Sequence, residues 1–146
     1  MQNINFNDGY KELSINNDPN RVIRFNPSDY GLLERFHDAR KTMVDAISTI
    51  GKNIEIKTNG EAADSLEDAT LIIKDINNVI NEQMNYIFNA DVAQVVFGKQ
   101  SPISTIKGKY LFERFLDAVA PYMEKEIKAE QEASQKRINK YTKQVK

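Results

Sequence analysis

Cysteine is absent from this chain of 146 residues, and histidine occurs once. The lack of cysteine excludes disulfides, thiolate zinc sites and a cysteine nucleophile. A formal net charge of -1 argues against nucleic acid as the partner, because dedicated nucleic-acid binders carry a clear basic excess. No apolar run approaches the roughly 20 residues that cross a bilayer, and no signal peptide is visible. We therefore expect a cytoplasmic protein without membrane association.

Residues that carry catalysis are equally scarce. His37 has no matching serine nucleophile, and we expect it at the boundary of the core. The Gly98-Lys99 pair fails as a phosphate loop, because Ala93 stands where a glycine is required and Gln100 replaces the serine or threonine. Three acidic residues near a predicted helix start are better read as stabilising that terminus: Asp64, Glu67 and Asp68. We expect no enzyme, no catalytic residue, no cofactor and no metal.

The N-terminal part predicts a β-hairpin over residues 10–26. The turn formers of residues 16–20 separate a short apolar-polar strand from a β-rich return strand, residues 21–25. Such a hairpin is marginal alone, so it should pack on a helix. Its open edge is a further candidate contact.

Helical periodicity dominates the rest of the chain. Ser28 is the predicted N-cap of a first helix with an apolar face that includes Leu33 and Phe36, and residues 58–60 form the clearest interior break. A second helix should begin at Asp64 or Ser65 and stop near Asn89. A short helix, a loop at residues 98–102 and a long final helix follow. In that final helix Pro121 should remove one hydrogen bond and produce a kink.

The last quarter of the chain, from Ser104, carries the strongest functional signal. Its apolar face is dense as far as Ile127 and then thins to a narrow stripe in a strongly polar segment, formed by Ile138, Tyr141 and Val145. A stripe that narrow cannot bury itself well within its own domain, so it suits a helix that meets a partner. We predict one globular domain over residues 1–127 and a polar, basic-ended helical extension over residues 128–146.

A second candidate contact lies on the predicted short helix. Its apolar residues are Val92, Val95, Val96 and Phe97. Such a cluster usually belongs to a core, and if exposed it would form a docking patch, because monomers seldom leave such clusters uncovered.

Three segments together carry a family resemblance: SINNDPNRVIRFNPSDYGLLERF (14–36), IFNADVAQVVFGKQSPIS (87–104), and FLDAVAPYMEKE (115–126) followed by the KYTK tail (140–143). They resemble a small protein family from the tail-gene modules of phages and prophages of Gram-positive bacteria, in which tail assembly chaperones are found. The resemblance implies a non-enzymatic factor that binds the tape-measure protein, the tail-tube protein or both. It brings no catalytic residues with it.

Two other functions stay open. One is a structural virion component such as a minor tail or connector protein, which would be found in the virion rather than only in the host cytoplasm. The other is a small nucleic-acid-binding regulator that uses the basic C-terminal end. Self-association through the final helices is open as well. For the fold we expect a mainly α protein, an antiparallel bundle of three long helices and one short helix with an N-terminal β-hairpin, whose C-terminal helix partly protrudes.

Overall fold

The computed structural model describes residues 1–53 and 62–145, and the side chains of 1–50 and 66–143. The fold is mainly helical, with an N-terminal hairpin and a long C-terminal helix, as predicted. The helices are α1 (Tyr30–Asn53), α2 (Ala62–Phe88), α3 (Ala93–Phe97) and α4 (Leu111–Val145), and the strands are β1 (Lys11–Ile15), β2 (Asp18–Phe25), β3 (Thr105–Ile106) and β4 (Lys109–Tyr110). The expected break at residues 58–60 lies outside the described residues.

The N-terminal hairpin pairs β1 with β2 in antiparallel fashion. Asn16 and Asn17 form its two-residue turn, with φ of 53° and 61°. Asparagine tolerates this left-handed backbone better than most residues, and two such residues in succession match the right-handed twist of the strands. The return strand therefore begins at Asp18, three residues earlier than Arg21. Ile23 and Phe25 point inward and are buried.

Helices α1 and α2 run antiparallel. The Arg35 side chain, near the start of α1, donates from Nε to the backbone carbonyl of Ile87 at the end of α2, over 2.9 Å. Asp29, not Ser28, caps α1, because its Oδ1 accepts a hydrogen bond from the backbone N–H of Gly31 over 2.9 Å. Ser28 instead donates both its backbone N–H and its hydroxyl to Asn26 Oδ1.

The inward face of α1 is the predicted one except at its start, because Phe36, Met43, Ile47 and Ile50 pack on the core and Leu32 takes the place of Leu33. Leu32 is 1% exposed, whereas Leu33 is 47% exposed. Periodicity alone could not decide which of the two adjacent leucines faces the core. In the structure Leu32 joins the cluster that contains residues of the hairpin and α2. In α2 the buried side chains are Ala69, Ile76, Ile80, Met84, Ile87 and Phe88. His37 is exposed, which contradicts the expected boundary position.

A second, very short hairpin separates the loop after α3 from α4. β3 and β4 pair across Lys107 and Gly108, whose φ angles are 53° and 78°. Pro102 is buried and this hairpin follows it, so the prediction that the final helix follows the loop at residues 98–102 directly is wrong. Helix α4 begins at Leu111, where the Glu113 side chain accepts a hydrogen bond from the Tyr110 backbone N–H.

Helix α4 packs between α1 and the N-terminal hairpin. Early residues of α4 such as Phe112 face Ile47 of α1, and later residues such as Met123 face Leu33, so α4 runs antiparallel to α1. On its other side α4 meets the hairpin. It also meets the end of α2, where the Phe115 ring lies 5.8 Å from that of Phe88. The helix continues through Pro121. Within the described ranges, no helix has the length and apolar character that a membrane span requires.

Candidate partner-binding surfaces

The short helix α3 belongs to the core and is not a docking patch. Val92 is fully buried, Val96 and Phe97 are 6% and 4% exposed, and Val95 is half-buried. The prediction that these four residues bind a partner is therefore corrected. They contribute instead to the single hydrophobic cluster that joins the hairpin and all four helices.

Two polar side chains hold α3 in that position. Asn85 on α2 accepts hydrogen bonds at Oδ1 from the backbone N–H groups of Val92 and Ala93, over 2.8 and 2.9 Å. Arg21 on β2 donates from Nε to the Val95 carbonyl over 3.1 Å and from Nη2 to the Val96 carbonyl over 2.6 Å. The two contacts satisfy backbone groups at both ends of a helix too short to satisfy its own.

The C-terminal part of α4, residues 128–145, is called the extension below. Every residue from 128 to 143 is exposed. Two of the predicted contact residues stand on this surface, with Ile138 47% exposed and Tyr141 69% exposed. The third, Val145, belongs to α4, but its side chain lies outside the described ones. The part of the protein before the extension, up to Ile127, is called the body. At a rise of about 1.5 Å per residue the extension projects roughly 27 Å from the body.

The charges of α4 from Glu124 onward are arranged in two blocks. Glutamates predominate from 124 to 132, and the segment 136–143 carries only basic charges. The basic residues are Lys136, Arg137, Lys140 and Lys143. Basic residues near a helix C-terminus are favourable because of the helix dipole, and in this position they also present positive charge to a partner.

The extension leaves the body at a defined point. The Lys11 ammonium on β1 lies 2.9 Å from Glu126 Oε2, and this hydrogen bond raises the pKa of Lys11 above its ordinary value of 10.5. Ile127, the next residue, is half-buried, and the exposed run begins directly after it. The hairpin therefore supports α4 up to Glu126 and no further.

An apolar groove runs between α1 and α4, and sequence reasoning did not find it. Its volume is about 440 Å³, and its apolar lining includes Phe36, Met43, Val44, Ile47, Phe112 and Leu116. Val44 on its rim is 55% exposed. The groove arises only when two helices far apart in sequence are packed together, so neither helix shows it alone. Charged side chains border it: Arg40, Glu113 and Asp117.

The cleft beside α3 is polar. The cleft of about 290 Å³ beside α3 is lined by amide side chains and one carboxylate, that of Asp91. Among the described residues no three or more His, Asp or Glu side chains converge as metal ligands would. The described residues form a packed body from which an exposed helical extension projects.

A comparison with protein families, curated proteins and solved structures finds no match to this chain.

Proposed function

We propose that this protein is a non-enzymatic assembly factor that binds helical segments of phage tail proteins, the tape-measure protein or the tail-tube protein, in the host cytoplasm. The proposal joins two independent considerations. One is the resemblance of three segments of the sequence to tail-module proteins. The other is the exposed extension, which suits protein binding and offers no chemistry.

The observation that carries the proposal is the exposure of residues 128–143. Most helical stability in proteins comes from packing of an apolar face. Ile138 and Tyr141 form such a face, and both side chains are exposed. A long amphipathic helix of a tape-measure protein would cover that face, as in other cases in which one amphipathic helix packs against an apolar surface.

The groove between α1 and α4 adds a second surface for the same class of partner. Its walls are apolar side chains, and it lies on the body from which the extension projects. A helical partner that contacts both surfaces would bury more apolar area than either surface offers alone. Such recognition would tolerate different apolar sequences, which is useful for a factor that keeps a long tail protein soluble.

The test is co-expression with tape-measure and tube proteins from a phage tail operon, followed by affinity capture of this chain. Three forms are compared: wild type, a chain ending at Ile127, and Ile138→Ser combined with Tyr141→Ser. Capture by wild type that is lost in both altered forms is the expected result. Circular dichroism and melting of dilute protein check that the body stays folded, which is expected because Ile138 and Tyr141 are exposed and lie outside the hydrophobic cluster.

Lys125→Ser combined with Lys128→Ser serves as the control, because these exposed residues lie off the apolar stripe. This control should retain capture. Failure of wild type to capture either tail protein would overturn the proposal. Presence of the chain in purified virions at a fixed copy number would favour a structural component instead.

A further inference from the structure

The extension has the side-chain spacing of a two-helix seam. Apolar or small polar residues recur at alternating intervals of four and three: Ile127, Gln131, Ser134, Ile138 and Tyr141. This alternation is the heptad spacing that keeps one stripe facing a partner helix. Of these residues, those from Gln131 to Tyr141 are exposed, and Ile127 is half-buried at the edge of the body. The seam is therefore uncovered from Gln131 to Tyr141.

The distribution of charge selects the direction in which a second copy would pair. In a parallel pair the basic segment 136–143 would lie against itself, which places four positive charges against four. In an antiparallel pair with Ile127 opposite Ile138, residues 133–141, which carry three positive charges, would lie against residues 124–132, which contain four glutamates and two lysines. Opposite charges across a helix pair set partner orientation, so the antiparallel arrangement is favoured.

One antiparallel register also satisfies the seam itself. With Ile127 opposite Ile138 of the second copy, the two isoleucine layers are both apolar and enclose Gln131 opposite Ser134. The flanking residues then meet as opposite charges, because Glu130 of one copy lies beside Arg137 of the other. The two-fold symmetry repeats each contact, giving two isoleucine layers and two ion pairs.

The body continues the same seam. On the N-terminal side of Ile127 an apolar cleft of about 150 Å³ opens between α1 and α4, with Leu33, Met123 and Ile127 among its lining. Leu33 is 47% exposed there, although it is a leucine beside the core. In this register Tyr141 of the second copy lies opposite Glu124, beside the cleft. Its ring would cover Leu33, and its hydroxyl would remain near water.

We infer that the extension pairs with the extension of a second copy in an antiparallel homodimer, with Ile127 against Ile138 and Glu130 beside Arg137 across the interface. The pair is the form that the protein takes in the absence of a tail protein. The inference does not rest on the proposed function, because it concerns the purified chain alone. A helical tail protein that covers the same stripe would compete with the second copy.

The first experiment measures the oligomeric state of the purified full chain by sedimentation over a concentration series. The expected result is a dimer for wild type and a monomer for the chain that ends at Ile127. Ile138→Ser combined with Tyr141→Ser should weaken dimerisation at least about tenfold, which corresponds to a loss of about 1.4 kcal/mol. A wild-type chain that stays monomeric throughout the series overturns the inference.

A charge exchange tests the register. Glu130→Arg alone and Arg137→Glu alone each place like charges across the antiparallel interface and should weaken dimerisation. The two substitutions together restore opposite charges and should return the dimer to near wild-type affinity. In a parallel pair these positions lie about 10 Å apart along the axis, at 1.5 Å per residue, so the double variant would show no restoration. Absence of restoration overturns the antiparallel register.

Cysteine cross-linking gives an independent reading, without background because the chain has no cysteine. A mixture of Ile127→Cys and Ile138→Cys chains should form the mixed disulfide, whereas each variant alone should not cross-link. Like positions lie roughly 16 Å apart along an antiparallel pair, at 1.5 Å per residue, which is beyond disulfide reach. Efficient cross-linking of each variant with itself would show a parallel pair and contradict the inference. A dimer that captures no tail protein would leave this inference standing and remove the proposed function.

Discussion

Lys11 and Glu126 join the first strand of the hairpin to α4 one residue before the helix loses its last contact with the body. The Lys11 Nζ and Glu126 Oε2 atoms lie 2.9 Å apart, although 115 residues separate the two side chains in sequence. Beyond Ile127 every described side chain of α4 is exposed. The pair therefore marks the boundary between the part of α4 that serves the fold and the part that is open to a partner.

The Lys11–Glu126 pair predicts a dependence of stability on alkaline pH. Its hydrogen bond raises the pKa of Lys11 above 10.5, so the stabilisation is fully present below pH 10.5 and is lost as the pH rises through the raised pKa. Lys11→Met should lower the melting temperature slightly at neutral pH. That difference from wild type should vanish when both proteins are melted well above pH 10.5. If it persists there, the lysine acts through packing of its alkyl chain and not through its charge.

Replacing Arg21 should lower stability more than replacing Lys11, because the Arg21 guanidinium donates to two backbone carbonyls of α3 at once. Arg21→Met keeps the aliphatic length but leaves the Val95 and Val96 carbonyls without this donor. Hydrogen bonds from a charged donor are each worth about 1.5–3 kcal/mol, so for the two bonds together we expect a loss of roughly 3 kcal/mol or more in the free energy of unfolding. Chemical denaturation followed by circular dichroism measures it.

Arg24→Met is the matched control for this substitution. Arg24 lies on the same strand, is largely exposed, approaches Asp8 to 3.9 Å and lies over the Tyr10 ring, 4.6 Å from its centroid. Its replacement should change the free energy of unfolding by about 1 kcal/mol or less, because exposed cation–π contacts and exposed ion pairs are each weak. Equal losses in the Arg21 and Arg24 variants would show that the carbonyl contacts contribute nothing special.

Local signals in the sequence were sufficient for the first hairpin and for the existence of the long helices. The asparagine-rich turn and the three- and four-residue spacing act over a few residues, so they can be recognised without the rest of the fold. The burial of Val92 and Phe97 could not be read in this way, because it depends on α2, β2 and α4 meeting around α3. The groove between α1 and α4 escaped prediction for the same reason. The exposure of Ile138 and Tyr141 was predictable, since no apolar neighbours in the sequence could cover them.

Two substitutions of Asn85 should differ in their effect on stability. Asn85→Ala removes the Oδ1 acceptor that caps α3 at Val92 and Ala93, and loss of a helix cap costs about 1 kcal/mol. Asn85→Asp keeps an acceptor and adds a negative charge at a helix N-terminus, which is favourable. The aspartate variant should therefore be closer to wild type in denaturant unfolding than the alanine variant. The opposite order would show that the amide N–H₂ group, and not Oδ1, stabilises this site.

The turn between β3 and β4 predicts two changes of opposite sign. Lys107 and Gly108 both have positive φ, a backbone region that asparagine tolerates well and that alanine rarely adopts. Lys107→Asn should raise the free energy of unfolding by a few tenths of a kcal/mol, because its side chain suits a type I′ turn. Gly108→Ala should lower it by about 1 kcal/mol through backbone strain alone, since a Cβ at this position meets no atom within 4 Å. Both are measured by denaturant unfolding.

Gly98 tests the same backbone strain at a different place in the fold. It also has positive φ, 60°, and open space around a Cβ, but it ends α3 and so tests the helix terminus instead of the hairpin. Gly98→Ala should therefore cost about as much as Gly108→Ala, near 1 kcal/mol. The Gly98→Ala and Asn85→Ala losses should not add in a double variant, because Asn85 and Gly98 act on opposite ends of one short helix. The Gly108→Ala and Asn85→Ala losses should add. If Gly108→Ala leaves stability unchanged while Gly98→Ala lowers it, the second hairpin contributes nothing to the free energy of unfolding, and α4 is positioned by its apolar contacts alone.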